Sequence, residues 1–309
     1  MKSTCSPLSG FSQGLRKLSL LLVLTFASNT LWAQPVSYVQ AQNSYFFDFL
    51  TFKAFEGDNT FLEIFCKLPL RTLKFTSERT GFTAHYSLDI SLFDKDNVRV
   101  HSASHADSVK VQTYKEVLDV TTYSKVIRFT FVVKPGVYQA HVTVADNGSF
   151  TFKGFRRELN IPNYCTRGLH VSDLQVANAI TLTDRESMFV KNGREILPNV
   201  SHIYGLDSNI LYVYNEIYNL QYEEKNRDNE FMATYTIFGE NGHKVKKIKR
   251  KQFKPGDGCA FSLGIPVGDL ESGQYKLVME VVDLDNSQTA RKQTLFHVIR
   301  TSSNRKTVI

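Results

Sequence analysis

One strand signature occurs twice in this chain, and it limits the folds open to it more than any other feature. Lys134-Pro135-Gly136-Val137-Tyr138 leads into Ala140, Val142, Val144 and Asp146. Glu271-Ser272-Gly273-Gln274-Tyr275 leads into Leu277, Met279, Val281 and Asp283. Each copy reads Gly-x-Tyr, then alternates apolar and other residues up to an Asp. Alternation with a period of two belongs to a strand with one buried face. A unit repeated at this distance predicts two similar domains rather than one large fold. Other segments repeat with it: Phe61–Phe65 matches Ile210–Tyr214, and Tyr86–Phe93 matches Thr234–Phe238.

The Tyr has a physical meaning. Near the start of the second-last strand of an immunoglobulin-like sandwich, a Tyr tucks its ring inward and bonds its hydroxyl to nearby backbone. Tyr138 and Tyr275 are therefore predicted to be structural tyrosine corners, with Gly136 and Gly273 allowing a tight approach. Ala140 and Leu277 stand where antibody domains carry a Cys, so apolar packing alone must hold each core.

Phe, Tyr, Val and Thr recur in short alternating runs between turn signals, and no long stretch keeps helical periodicity. The predicted fold class is all-β: two tandem immunoglobulin/fibronectin-III-like β-sandwiches after a cleaved signal peptide. The expected division is 1–33 signal peptide, 34–43 short N-terminal segment, 44–160 first sandwich, 161–168 linker, 169–300 second sandwich and 301–309 tail. First-domain strands are predicted at 44–53, 60–69, 80–93, 97–104, 108–117, 122–133, 136–146 and 149–157. Second-domain strands are predicted at 171–177, 209–219, 230–239, 243–251, 259–265, 273–283 and 289–299. Turns are expected at Asp94–Asn97 and at Asp146-Asn147-Gly148, where Asn and Gly accept positive φ. The connection Asn160–Asn163 is short and not Gly/Ser-rich, which predicts a fairly fixed angle between domains.

The leader reading rests on Lys2, Arg16 and Lys17 before the apolar run Leu18–Ala27, with Ala33 a small residue at the cleavage point. Ordinary export, to the periplasm or beyond the cell, is expected. No later stretch is apolar enough for a transmembrane segment. The formal charge of +7 at pH 7 includes those three leader residues and gives no argument for nucleic acid. Cys66, Cys165 and Cys259 follow the leader, and three widely spaced cysteines do not make a disulfide framework. Cys66 is expected to be a buried small hydrophobe in a strand.

Leu169–Ala177 is similar to the "SD(I/L)xxA" segment of bacterial GWxTD-domain-containing proteins. Pro198-Asn199, His202–Gly205 and Leu211–Leu220 resemble the same family, the last matching its "lyvYfEiYNL" stretch. The resemblance spans most of residues 44–300 and implies an exported envelope or secreted protein with two β-sandwiches. The chain's one Trp is Trp32, in the leader, so the remainder lacks a Gly-Trp-x-Thr-Asp motif.

Signals for catalysis are weak. There is no Gly-x-Ser-x-Gly, His-Glu-x-x-His or Walker-type loop. His101 and His105 share a His-x-x-x-His spacing at what reads as a strand end and loop, without an acidic partner. Asp94-x-Asp96-Asn97 and Asp283-x-Asp285-Asn286 read as turns rather than Ca²⁺ loops. Cys259 follows a Gly256-Asp257-Gly258 turn with no visible base. Neither metal nor cofactor is implied.

Two features suggest contact surfaces. Lys244, Lys246, Lys247, Lys249, Arg250 and Lys251 form a basic run, suited either to guarding an exposed strand edge or to meeting an anionic partner. Tyr212, Tyr214, Tyr218 and Tyr222 stripe one strand around Glu216, as a candidate aromatic contact or as packing between strands or domains. The expected function is that of an exported, non-catalytic binding or scaffold protein of the bacterial cell envelope, acting through a protein partner. The alternatives are a glycan- or anionic-surface-binding module, and a hydrolase with a site in 181–207.

Overall fold

The computed structural model describes residues 44–118, 124–206, 208–224 and 229–301. The proposed leader, the 34–43 segment and 302–309 lie outside the described residues. The first sandwich contains β1 (Phe46–Lys53), β2 (Thr60–Pro69), β3 (Thr76–Glu78), β4 (Gly81–Phe93), β5 (Arg99–Val111), the short helix α1 (Tyr114–Leu118), β6 (Ser124–Val133), β7 (Gly136–Asp146) and β8 (Thr151–Ile161). One sheet has the order β1-β2-β6. The other has β4 between β5 and β7, with β8 beyond β7 and β3 on the end of β4. Leu62, Ile64, Cys66 and Leu68 of β2 meet Leu88, Ile90 and Leu92 of β4 and Ala140, Val142 and Val144 of β7 in one buried core.

The second sandwich contains β9 (His170–Val171), β10 (Gln175–Leu182), β11 (Val190–Lys191), β12 (Arg194–Pro198), β13 (Ile203–Tyr204), β14 (Ile210–Tyr218), β15 (Glu230–Phe238), β16 (Lys244–Phe253), β17 (Gly258–Pro266), β18 (Gly273–Asp283) and β19 (Thr289–Val298). The sheet β11-β12-β10-β14-β17 packs over β13-β19-β18-β15-β16. β1-β2-β6 of the first unit corresponds to β10-β14-β17 of the second, and β5-β4-β7-β8 to β16-β15-β18-β19. The fold is therefore all-β, built from two sandwiches of matching strand order.

The signature strands are β7 and β18. The Tyr138 hydroxyl donates to the Lys134 carbonyl at 2.9 Å, and Tyr275 to the Glu271 carbonyl at 3.1 Å. The closing Asp also has a job in each copy. Asp146 accepts from the Lys74 amide at 2.9 Å and the Ser149 hydroxyl at 2.6 Å. Asp283 is fully buried and accepts from Lys254 at 2.5 Å and from the Gln221 amide at 2.7 Å; Lys254 also bonds Asp285 and the Gln221 carbonyl. A buried carboxylate needs such partners, because desolvation otherwise penalises its charge heavily.

Several local expectations are corrected. The strands expected at 97–104 and 108–117 are one strand, β5, and the residues after it turn into α1. His101 and His105 lie within β5 on one face, against the rings of Phe131 and Tyr86. After Asp146-Asn147-Gly148 the left-handed residue is Phe150, at φ 53, rather than the expected Asn or Gly. Gly148 is needed for another reason: a Cβ there would lie 2.8 Å from the Lys74 carbonyl oxygen. A Cβ on Gly136 or Gly273 would meet the Tyr ring at ordinary contact, 3.7 and 3.9 Å, so approach to the ring does not demand either glycine, but Gly136 takes φ 155, which disfavours an L side chain. The Asp94 turn holds as a hairpin, its carboxylate accepting from the Asp96 and Val98 amides while Asn97 takes φ 59.

A third apolar cluster joins the sandwiches. Leu50, Phe52 and Phe65 of the first pack with Ala177, Ile196, Val200 and Tyr214 of the second. β2 sends Leu62, Ile64 and Cys66 into its own core and Phe61, Glu63 and Phe65 the other way. β14 does the same with Leu211, Val213 and Ile217 against Tyr212, Tyr214, Glu216 and Tyr218. Among the described residues no helix is long and apolar enough to cross a membrane.

Candidate functional site

The tyrosine stripe belongs to this junction and is not an open aromatic platform. Tyr214 is fully buried and Tyr218 is 8% exposed. Tyr212 packs beside the third cluster. Tyr222 lies past the end of β14 and is the exposed member. The Glu216 carboxylate accepts from the Tyr214 hydroxyl at 2.6 Å, the Tyr218 hydroxyl at 2.7 Å and the Asn192 amide at 3.1 Å. The Lys53 amide then donates to the Tyr218 hydroxyl at 3.0 Å, stitching β1 to β14. Burial, followed by the Glu216 charge, pushes both phenols well above their ordinary value. Glu216 lines a hollow of about 500 Å³ with Arg194, Pro255 and Cys259, but both its oxygens are already engaged. Burial pushes the Cys259 thiol up to about 11, which suits an inert cysteine.

Three further pairings cross the junction. Glu63, fully buried on β2, takes Lys191 at 2.6 Å and Arg128 at 3.3 Å. Lys191 also sits over the Phe52 ring, 3.8 Å from its centroid. The Thr51 hydroxyl bonds Asp173 at 2.5 Å and the Tyr164 hydroxyl at 2.8 Å, and Lys292 completes Asp173 at 2.9 Å. His202 bonds Asp48 at 2.9 Å. Thus the irregular stretch after β10 supplies Lys191 and His202 to the contact between sandwiches, and Asn192 to the Glu216 cluster beside it. A cleft of about 470 Å³ opens beside His202, lined by Phe47, Phe49, Arg157, Leu295 and His297 among others.

The basic run is β16, whose described pairing is with β15 alone. Its six cations do not form one patch. Register sets them apart, because Tyr235, Ile237 and Ala233 point into the core opposite Ile248, Lys246 and Arg250. Lys246 and Arg250 therefore lie on the core side of the strand, and Lys246 is spent on Asp269 at 2.9 Å and the Pro266 carbonyl at 2.6 Å. Lys244, Lys247, Lys249 and Lys251 lie on the outer face. Lys251 pairs with Glu230 at 2.5 Å. Lys244, Lys247 and Lys249 have no ion partner among the described residues.

Sequence reasoning missed two members of that face. Register across the sheet puts Lys276 of β18 beside Phe238 and Arg291 of β19 beside Glu280, on the same outer surface. The signal was available in the strand alternation: Lys276 and Glu280 alternate with Tyr275, Leu277, Met279 and Val281.

Among the described residues the three cysteines are free, with Cys66 buried in β2 and Cys165 half-exposed. No group of three potential metal ligands occurs among them.

No protein-family model matches the chain, and no curated protein matches it. Among solved structures it is similar to a Bacteroides uniformis β-glucuronidase, at 15% identity over 76% of this chain and 26% of that one, with a TM-score of 0.24. A calcium-binding mutant of Bacteroides uniformis β-glucuronidase 2 gives 13% identity over 82% of this chain and 32% of that one, again with a TM-score of 0.24. The chain spans no more than about a third of the length of these structures.

Proposed function

We propose that this chain is an exported, non-catalytic binding protein that acts as a two-sandwich scaffold for a protein partner in the bacterial envelope. The observation that carries the reading is the division of its polar groups. Those gathered at the junction are already engaged: Glu63 by Lys191, Glu216 by Tyr214 and Tyr218, Asp173 by Thr51 and Lys292, and His202 by Asp48. Such groups hold geometry and leave no nucleophile–base pair to start a reaction. Lys244, Lys247 and Lys249, without an ion partner among the described residues, instead stand on one outer sheet face, where a partner can reach them. The leader and the resemblance to GWxTD-domain-containing proteins support export.

The test is site-specific photo-crosslinking in the source cell from two surface positions, Lys249 on β16 and Ser104 on β5. One reproducible protein adduct from either position supports the reading. Its absence from both overturns it.

A further inference from the structure

The duplication supplies an internal control for the lysines of β16. β5 is the matching strand of the first sandwich, and it too pairs on one side only, with β4. Its outward positions are Ser102, Ser104, Ala106 and Ser108, with Lys110 near the end. An edge strand in this fold can therefore do without a lysine row, so guarding the edge does not by itself require Lys244, Lys247 and Lys249.

β16 pairs with β15 at nine positions, with a bulge at Val245, and among the described residues no strand pairs with its other side, where one contact is the Arg250 guanidinium donating to the Lys249 carbonyl. Exposed Val245 and Phe253 lie near its two ends, the latter 70% exposed. An added strand would set its side chains directly opposite those of β16, about 4.5–5.5 Å away between Cβ atoms. A second copy of β16 would bring lysine against lysine there, which is unfavourable. A strand with Asp or Glu at every second position would face Lys247, Lys249 and Lys251 in turn, with an apolar residue between them opposite Ile248. Attraction to one partner and repulsion of the chain's own copies come from the same side chains.

We propose that β16 is a docking edge that takes an acidic, extended segment of a partner protein as an additional strand of the β19-β18-β15-β16 sheet. This rests on the binding-protein reading above and specifies its partner. Backbone bonds hold the segment, and the alternating carboxylates select it.

The test uses the whole chain after Ala33 and three ten-residue peptides. One alternates Glu with Val or Thr. One has the same composition with its Glu residues contiguous. One is the alternating peptide N-methylated at every second residue, prepared in both phases. The alternating peptide is expected to bind at least about tenfold more tightly than the others, and more weakly as salt rises. The double variant K247E/K249E is expected to lose that binding about tenfold or more, and K247Q/K249Q to lose part of it. Circular dichroism and thermal unfolding check that each variant is folded. Equal binding of the contiguous or N-methylated peptide overturns the strand-addition proposal. So does lysine-dependent binding confined to heparin or phosphatidylglycerol vesicles, which would assign the face to an anionic surface. A crosslinked partner together with peptides that fail removes this inference and leaves the scaffold reading in place.

Discussion

His202 bonds Asp48 through one ring nitrogen at 2.9 Å and the Leu295 carbonyl through the other at 2.8 Å. Both partners only accept, so the ring satisfies both by carrying two protons. Burial works against that charge. The Asp48 charge, its hydrogen bond and the Leu295 carbonyl outweigh burial and hold His202 above its ordinary value, although Arg157 opposes them. A group raised on folding adds stability below its unfolded pKa and loses it as pH climbs through the folded one. His297, lowered by burial and by His202, acts oppositely, costing stability as pH falls below its ordinary value. The thermal stability of the wild type is thus expected to fall as pH rises above about 6.5. His202→Ala should lose about 1–3 kcal/mol at pH 6 and flatten the alkaline decline. An unchanged slope in that variant would remove His202 as the cause.

Glu63 and Lys191 come from different sandwiches, and the carboxylate is wholly buried. Burial lowers the Lys191 pKa while Glu63 pulls it back up. Removing one partner strands a buried charge. Glu63→Gln or Lys191→Met should each cost about 3–5 kcal/mol in urea unfolding. The double variant should cost less than the sum by about 1 kcal/mol or more. Strict additivity would mean the two do not work as a pair.

The tyrosine corners allow a matched comparison. Tyr138→Phe and Tyr275→Phe each delete one hydroxyl bond to a carbonyl four residues back. Each should cost about 0.5–1.5 kcal/mol by chemical denaturation. A much larger loss from one alone would mean that the two corners are not equivalent.

The thiols should differ in reactivity. Burial pushes Cys66 up to about 12, and Cys259 is also raised, whereas Cys165 is half-exposed with its thiol 3.4 Å from the Gly57 carbonyl. Thiol titration of the chain after Ala33 should modify Cys165 first and Cys66 only on unfolding. Mass spectrometry identifies the order. Early labelling of Cys66 would mean β2 opens readily.

The all-β sandwich class was legible in the sequence because Tyr138 and Tyr275 mark equivalent strands, and alternation in β7 and β18 assigns their faces. The site was only partly legible. Tyr212, Tyr214 and Tyr218 were visible as a stripe, but the partner covering them, Phe52 and Phe65, lies far away in the chain. Period-two reasoning tells which residues share a face and leaves open what covers it. The basic run had the same difficulty. Its composition was plain, and alternation parts Lys246 from Lys249, yet only register with β15 tells which of them faces the core. His101 and His105 were misjudged because Ser and Ala between them resemble a loop, and pairing with β4 keeps them extended.

β2 and β14 have no spare side. Each is a party wall, loaded by its own sandwich on one surface and by the neighbouring one on the other. A chain cut near Cys165 would leave two halves with raw hydrophobic flanks, prone to stick to themselves or to each other. A shift of one residue in either strand would exchange two interiors at once, so both walls are pinned in register from both sides. Tension applied at one end of the pair would pass through this shared masonry rather than through a bending link.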